Sequence, residues 1–221
     1  MSTLTDVVQR RRSTRMFLRD KPVPMELLTE SLELAMRAPS NSNVQPWRLY
    51  LTTGSARDTL GAALSAEART NPPANLGLPD SFAALRRELG ALVYGSMGVA
   101  RDDADARWAA QLRNFDFFGA PVAGMVCMHR DLGLPDALGV GMFVQTLLLA
   151  LTDRGIDSCV QVSTALYPDL VRQQLGIPDE LTILCGLSIG YADPAFPANN
   201  LTIPRNDPAD NIVMLGDRRG A

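Results

Sequence analysis

Two stretches of this chain decide how the rest is read: Arg11-Arg12-Ser13-Thr14-Arg15 with Phe17 behind it, and Ala38-Pro39-Ser40-Asn41-Ser42-Asn43-Val44-Gln45-Pro46-Trp47. The first offers fixed positive charge and a hydroxyl. The second offers carboxamides and hydroxyls on a loop stiffened by prolines. Arginine's planar fork matches phosphate and heterocycle carbonyls two bonds at a time. Asn and Gln side chains both donate and accept, as the edge of a pyrimidine-type ring requires. Together the two stretches suit a planar, polar heterocycle with a phosphate tail. Taken singly, the arginines are also an ordinary solvated helix end, and the loop an ordinary turn.

The segments around them alternate between helix and strand. Leu4, Val7 and Val8 have helical spacing and lead into the arginines. Leu27, Leu28, Leu32, Leu34, Ala35 and Ala38 repeat near period 3.6, which predicts a helix over 24–38 that Pro39 ends. Trp47 to Thr53 alternates like a strand, and 55–69 follows as a helix. Asn71-Pro72-Pro73 and Gly77-Leu78-Pro79 are breakers. Helical pieces at about 80–92 and 102–113 come next. Asp102, Asp103 and Asp105 are expected to face Arg101 and Arg107 on a solvated surface. Residues 70–118 thus read as a helical excursion, able to cover a site, from a single domain spanning 1–221. Further strands are expected at Val122–Met128, Ser158–Val162 and Leu181–Ile189, with a helix at 167–175.

Residues 139–153 are apolar nearly all round. A helix of that kind must be covered on most sides. A chain of this size rarely surrounds one completely, so this helix is expected at a homodimer interface. The tail at 191–221 is rich in Pro and Asn and ends in Ile212-Val213-Met214-Leu215. It cannot form its own core, and is expected to wrap a second subunit and add a strand to it.

The bulk composition narrows the function classes. The 221 residues are 46% hydrophobic and 20% charged, with a net charge of -3. Nothing there draws the chain toward nucleic acid or an anionic membrane surface. The N-terminus lacks an apolar signal core, and the apolar runs are interrupted before a membrane could be spanned. The expected location is the cytoplasm. Cys127, Cys159 and Cys185 form no Cys-x-x-Cys pair and are expected as buried thiols.

Other chemistry-bearing patterns lead nowhere. Gly186-Leu187-Ser188-Ile189-Gly190 has the nucleophile-elbow spacing. Tyr191-Ala192-Asp193-Pro194 cannot open the helix that must follow, and the single histidine, His129, lies upstream instead of downstream. Gly139-Val140-Gly141 lacks the third glycine of a dinucleotide fingerprint, because Val144 stands there. One histidine and no paired cysteines provide no metal site. An enzyme with one histidine fits best if a cofactor carries the reaction and the protein supplies position and electrostatics.

The two opening stretches resemble the nitroreductase family of flavoproteins. So do Phe117-Phe118-Gly119-Ala120-Pro121, Gly155 to Gln161, Cys185-Gly186-Leu187-Ser188-Ile189-Gly190-Tyr191, and Arg205 in the tail. The resemblance covers nearly the whole chain. It implies an α+β fold, a central, mostly antiparallel sheet flanked by helices, and an intertwined homodimer with exchanged C-terminal tails. It implies FMN at the dimer interface. Arg11, Arg12, Ser13 and Arg15 would hold its phosphate, ribityl chain and pyrimidine edge. Pro39, Ser40, Asn41 and Asn43 would come from the other subunit, with Gln45 near the rings. Backbone groups of Val160, Gln161 and Val162 would lie along the flavin, and Arg205 would pair with the phosphate. Thr202 stands where relatives often carry a second basic residue, and the segment around Arg113 aligns poorly.

The implied activity is a ping-pong oxidoreductase. NAD(P)H delivers hydride to flavin N5, no side chain is called catalytic, and a planar, electron-poor nitroaromatic is reduced through nitroso to hydroxylamine. Phe115, Phe117 and Phe118 would form an aromatic wall for it, or simply part of the core. Quinone, flavin or enone reduction, dehalogenation, and non-catalytic flavin binding are the alternatives on the same scaffold.

Overall fold

The computed structural model describes residues 3–73 and 78–215. Gly77 and the end of the tail, 216–221, lie outside them. The first helix, α1 (Leu4–Arg10), opens with a capping box in which the Thr3 hydroxyl accepts from the Asp6 N–H while the Asp6 carboxylate accepts from the Thr3 N–H. Arg11 leaves helical dihedrals, at φ -56 and ψ 123, so the chain runs on extended through the arginines. Then come α2 (Met25–Ala35), β1 (Trp47–Thr53), α3 (Gly54–Thr70), α4 (Ala83–Ser96) and α5 (Ala104–Leu112). The second half holds β2 (Val122–His129), α6 (Leu134–Asp153), β3 (Asp157–Gln161), α7 (Pro168–Leu175), β4 (Leu181–Gly190) and the short α8 (Pro208–Asn211).

The four strands form one sheet in the order β1-β2-β4-β3, with every neighbouring pair antiparallel. The fold is therefore α+β, as the resemblance implies. Strand β2 is central and buried from Val122 through Met128, which accounts for its unbroken apolar run. Each face of the sheet has its own core. On one, Leu28 and Ala35 of α2 and Val140, Phe143 and Leu147 of α6 pack against Val126, Leu187 and Ile189. Trp47 stacks on Phe143 there, with centroids 4.9 Å apart. On the other face, Leu60 and Leu64 of α3, Val171 of α7 and the buried Phe115 and Phe117 pack against Ala123, Met125 and Cys127.

Helix α6 begins earlier than the apolar run predicts, because Pro135 sits in its first turn and the Asp136 carboxylate accepts from the Gly133 N–H. Over its 20 residues it is long and apolar enough to cross a membrane, with a mean hydropathy of 1.6. The interrupted-run reading did not anticipate this. In the fold, the helix is the central core element. Val140, Phe143, Leu147, Leu148 and Leu151 face inward, while Leu134, Leu138 and Met142 stand exposed on the opposite face. Leu148 belongs to the chain's own core, so the interface expectation moves to the outer stripe. In the tail, Ile212, Val213, Met214 and Leu215 are all exposed.

Candidate functional site

The segment from Arg11 to Leu18 is a strap laced across three other parts of the chain. The Thr14 N–H donates to Ser158 O of β3 (3.0 Å), Phe17 N–H to Phe118 O (2.9 Å), and Leu18 N–H to Tyr191 O (2.8 Å). The Arg15 N–H donates to the Asn199 side-chain oxygen (2.7 Å). The Asn199 amide in turn donates to Met16 O and Asp193 O. Arg12 Nη1 reaches the Asn199 carbonyl (2.9 Å), and Arg15 Nη1 reaches Ser13 O (3.1 Å). Asn199 is 3% exposed and pins both backbones. Sequence reading passed over it among the tail asparagines, since nothing local distinguishes it from Asn200.

The strap lies along the outer edge of β3. Burial pushes the Cys159 thiol up to about 11, while Arg15, the Ser13 hydroxyl and Arg11 pull the other way. Those three strap residues thus act electrostatically on the same thiol. In an antiparallel strand, alternate residues turn both backbone groups to the same side. Ser158 turns its carbonyl to the strap, so Val160 turns its N–H and C=O to that edge too, beyond the last strap contact. Val160 and Val162 are exposed. Gln161 is not: its Nε2 donates to Asn114 O (2.8 Å) and its Oε1 accepts from Ser188 Oγ (2.5 Å). Of the three expected positions, Val160 is the one whose strand backbone faces outward. The Gln161 side chain works as an internal tie. Gly186 permits this, because a Cβ there would lie 2.0 Å from Thr164 Oγ1 in the turn after β3.

Asn114 belongs to a tight turn that enters β2. Phe117, Phe118 and Gly119 take positive φ values of 49, 55 and 76 in succession. Such a turn needs external support. The buried Arg57 supplies it, donating Nε to Ala120 O (2.7 Å), Nη1 to Asp116 Oδ1 (2.8 Å) and Nη2 to Asp116 O (2.5 Å). Arg19 also pairs with Asp116. Phe115 and Phe117 are core residues at 2% and 0% exposure, which corrects their expected place in a substrate wall. Phe118 alone of the three lines the cavity between this turn, α4 and α5. The cavity measures about 790 Å³ and is also lined by Arg15, Arg113 and Asn114.

The second polar stretch lies elsewhere. Pro39 shares a shallow apolar depression with Leu134, Leu138 and Met142 of α6. Ser40 packs on Gly139, where a Cβ would sit 3.3 Å from the serine Cβ. The Ser40 hydroxyl accepts from the Gln45 N–H (3.1 Å). Ser42, Asn43 and Gln45 hold positive φ values of 46, 56 and 49, and Asn41 and Asn43 are exposed. Among the described residues no hydrogen bond joins this loop to the strap. Arg205 is exposed too, and donates only to Ile203 O and Pro204 O (both 2.9 Å).

Burial raises Cys127 and Cys185 to about 11 as well. Ser188 is fully buried and donates to Gln161, so the elbow pattern is a strand residue with no nucleophilic role. No group of three or more His, Cys, Asp or Glu able to hold a metal occurs among the described residues. The expected Asp–Arg surface on α5 is also revised. The Asp103 side chain caps α5 at the Ala106 N–H (2.9 Å), and Arg107 turns away to lie 4.4 Å from the Tyr94 ring centroid.

Residues 8–191 match the family model described as the Nitroreductase family. A 4-nitrobenzoate reductase of Pseudomonas putida is 39% identical over 93% of this chain and 94% of its own length. The solved structure of an FMN and NADPH-dependent nitroreductase, NfnB, from sphigopyxis sp. strain HMH superposes with a TM-score of 0.93 at 34% identity, covering 98% of this chain and 100% of that one. NfnB from Mycobacterium smegmatis, solved in complex with NADPH, gives a TM-score of 0.89 at 32% identity, covering 96% and 97%.

Proposed function

The chain belongs to the nitroreductase family, and from that premise we propose that it is an FMN-dependent oxidoreductase that uses NAD(P)H to reduce nitroaromatic compounds to hydroxylamines by a ping-pong cycle. One observation carries the reading: the arginine strap and the outward backbone of Val160 share one edge of the sheet. The donor set fits FMN. Arg11, Arg12, Ser13 and Arg15 offer charge-assisted bonds for a phosphate and for polar ring atoms. The Val160 N–H is free to meet a ring edge. Bound FMN supplies the two-electron chemistry.

The protein's own part is electrostatic and positional. Arg15 would place positive charge beside the cofactor, where it would help to stabilise negative charge. The Gln161–Ser188–Asn114 ties and the Arg57 clamp keep β3 and the 114–119 turn in register, so the charge and the backbone donor meet one ligand at once. No side-chain acid or base is called on, which suits the raised cysteines and the absence of a dyad.

In this reading a second copy completes the site. Its Pro39, Ser40, Asn41, Asn43 and Gln45 face the flavin, the outer stripe of α6 forms the interface, and the exposed tail carries Arg205 to the phosphate. The exposed apolar residues on α6 and at 212–215 support this arrangement. Three free thiols suit a reducing cytoplasm. The test is direct: the purified protein should be yellow, bleach anaerobically with NAD(P)H and recover colour with 4-nitrobenzoate. A colourless protein that takes up no added FMN overturns the proposal.

A further inference from the structure

The cavity beside the strap has a lining that flavin binding does not explain. Arg15, Arg86, Arg87, Arg101, Arg107 and Arg113 all line it, and among the described residues no aspartate or glutamate does. The whole chain is slightly acidic, at -3, so this is a local concentration of positive charge. Two of these arginines are held by groups that cannot neutralise them. Arg107 lies 4.4 Å over the Tyr94 ring, and Arg113 lies 5.3 Å over the Phe196 ring with its Nη2 3.1 Å from Met97 Sδ. Neither takes part in an ion pair among the described residues. Arg113 is half-buried, and that burial draws its guanidinium below the ordinary arginine range. A fixed, partly desolvated cation without a counter-ion is costly until an anion arrives.

The remaining walls are mostly apolar, with Gln111 and Asn114 among them. Leu89, Val93 and Phe118 line the same space, which gives a flat ring a surface to lie on. Arg11 and Arg12 stay outside this lining and remain available for a cofactor phosphate. We propose that the cavity seats the electron acceptor and that Arg107 and Arg113 are specificity-determining residues that bind a carboxylate on its aromatic ring. The inference rests on the nitroaromatic reading above and deepens it: the acceptor class is an anionic nitroarene. The geometry asks for a ring-borne acid group held bidentately while the opposite end of the ring points toward the strap.

Two measurements on the FMN-loaded protein test this. In the first, benzoate and benzamide are titrated calorimetrically against wild type, Arg107→Gln and Arg113→Gln. Wild type should bind the anion more tightly by on the order of 10- to 100-fold, the value of a charge-assisted contact. Each variant should lose most of that preference, with FMN content retained, and Arg107→Lys should restore part of it. In the second, kcat/KM is compared for 4-nitrobenzoate and nitrobenzene, and for NADPH and NADH. The 4-nitrobenzoate to nitrobenzene ratio should fall by a similar factor in both glutamine variants.

Equal affinity of wild type for benzoate and benzamide overturns the proposal, as does a preference that survives both substitutions. A changed NADPH to NADH ratio with the benzoate preference intact also overturns it, because the anion is then the reductant's phosphate. Failure of the underlying activity is separately visible. No NAD(P)H oxidation with any nitroarene removes both readings, whereas turnover with an unchanged substrate ratio removes only the arginine assignment.

Discussion

The strap at 11–18 and the loop at 39–45 carry similar chemistry and are held in opposite ways. The strap is tied to β3, to the Phe118 turn and to the tail, and buried Asn199 locks its centre. The loop rests on α6, is hydrogen-bonded mainly within itself, and holds three non-glycine residues at positive φ. Its neighbours Leu134, Leu138 and Met142 are apolar and uncovered. The strap is fixed within the chain. The loop is shaped but faces outward, and in the proposed dimer a second copy would cover it.

Four perturbations probe that contrast. The largest effect should come from Arg57→Ala, which leaves Asp116 with Arg19 alone and removes the side-chain donor from the carbonyls of Ala120 and Asp116. A weakened ion pair and two carbonyls that lose this donor together cost about 3–5 kcal/mol. Urea denaturation should show it, and a shift under about 1 kcal/mol would mean the turn supports itself. The outward-facing side should respond differently. Leu138→Glu places a charge on the outer stripe of α6 and should weaken self-association by roughly a hundredfold or more. The circular dichroism of the folded chain should stay the same. Sedimentation that shows an unchanged assembly would move the interface elsewhere.

Arg15→Ala should lower FMN affinity by about 1.5–3 kcal/mol, as read by flavin fluorescence titration. Undiminished affinity would leave the strap a purely structural element. The smallest effect belongs to Thr14, whose hydroxyl is buried without a hydrogen-bond partner among the described residues. Thr14→Val should raise stability by up to about 1 kcal/mol, since an unsatisfied buried hydroxyl carries a desolvation cost. A lower melting temperature instead would reveal a partner for that hydroxyl, and calorimetry distinguishes the two.

Much of this was legible residue by residue. Trp47–Thr53 is a strand with those limits, and the helix, strand and turn order elsewhere follows the apolar period. Arg11, Ser13 and Arg15, singled out by residue type, lie on one extended strap beside β3. The misses share one cause. Phe115 and Phe117 differ from Phe118 only in which way a left-handed turn points them, and that turn is imposed by Arg57 on another helix. Gln161 looked available because its ties to Asn114 and Ser188 are remote in sequence. Arg107 was paired with nearby aspartates by proximity in the chain, yet it turns to Tyr94 across a helix–helix gap.

By itself, the order of residues determined the elements, the apolar faces, the clusters of arginine and carboxamide, and the single histidine with no paired cysteines. These are local properties, set by periodicity, caps and side-chain type. Only the tertiary structure decided which arginines stay without a counter-charge, which phenylalanine reaches a cavity, and that Asn199 holds Arg15 from 184 residues away. Partners at that separation meet because the sheet order β1-β2-β4-β3 brings the tail across the strap, and no short-range pattern encodes that crossing.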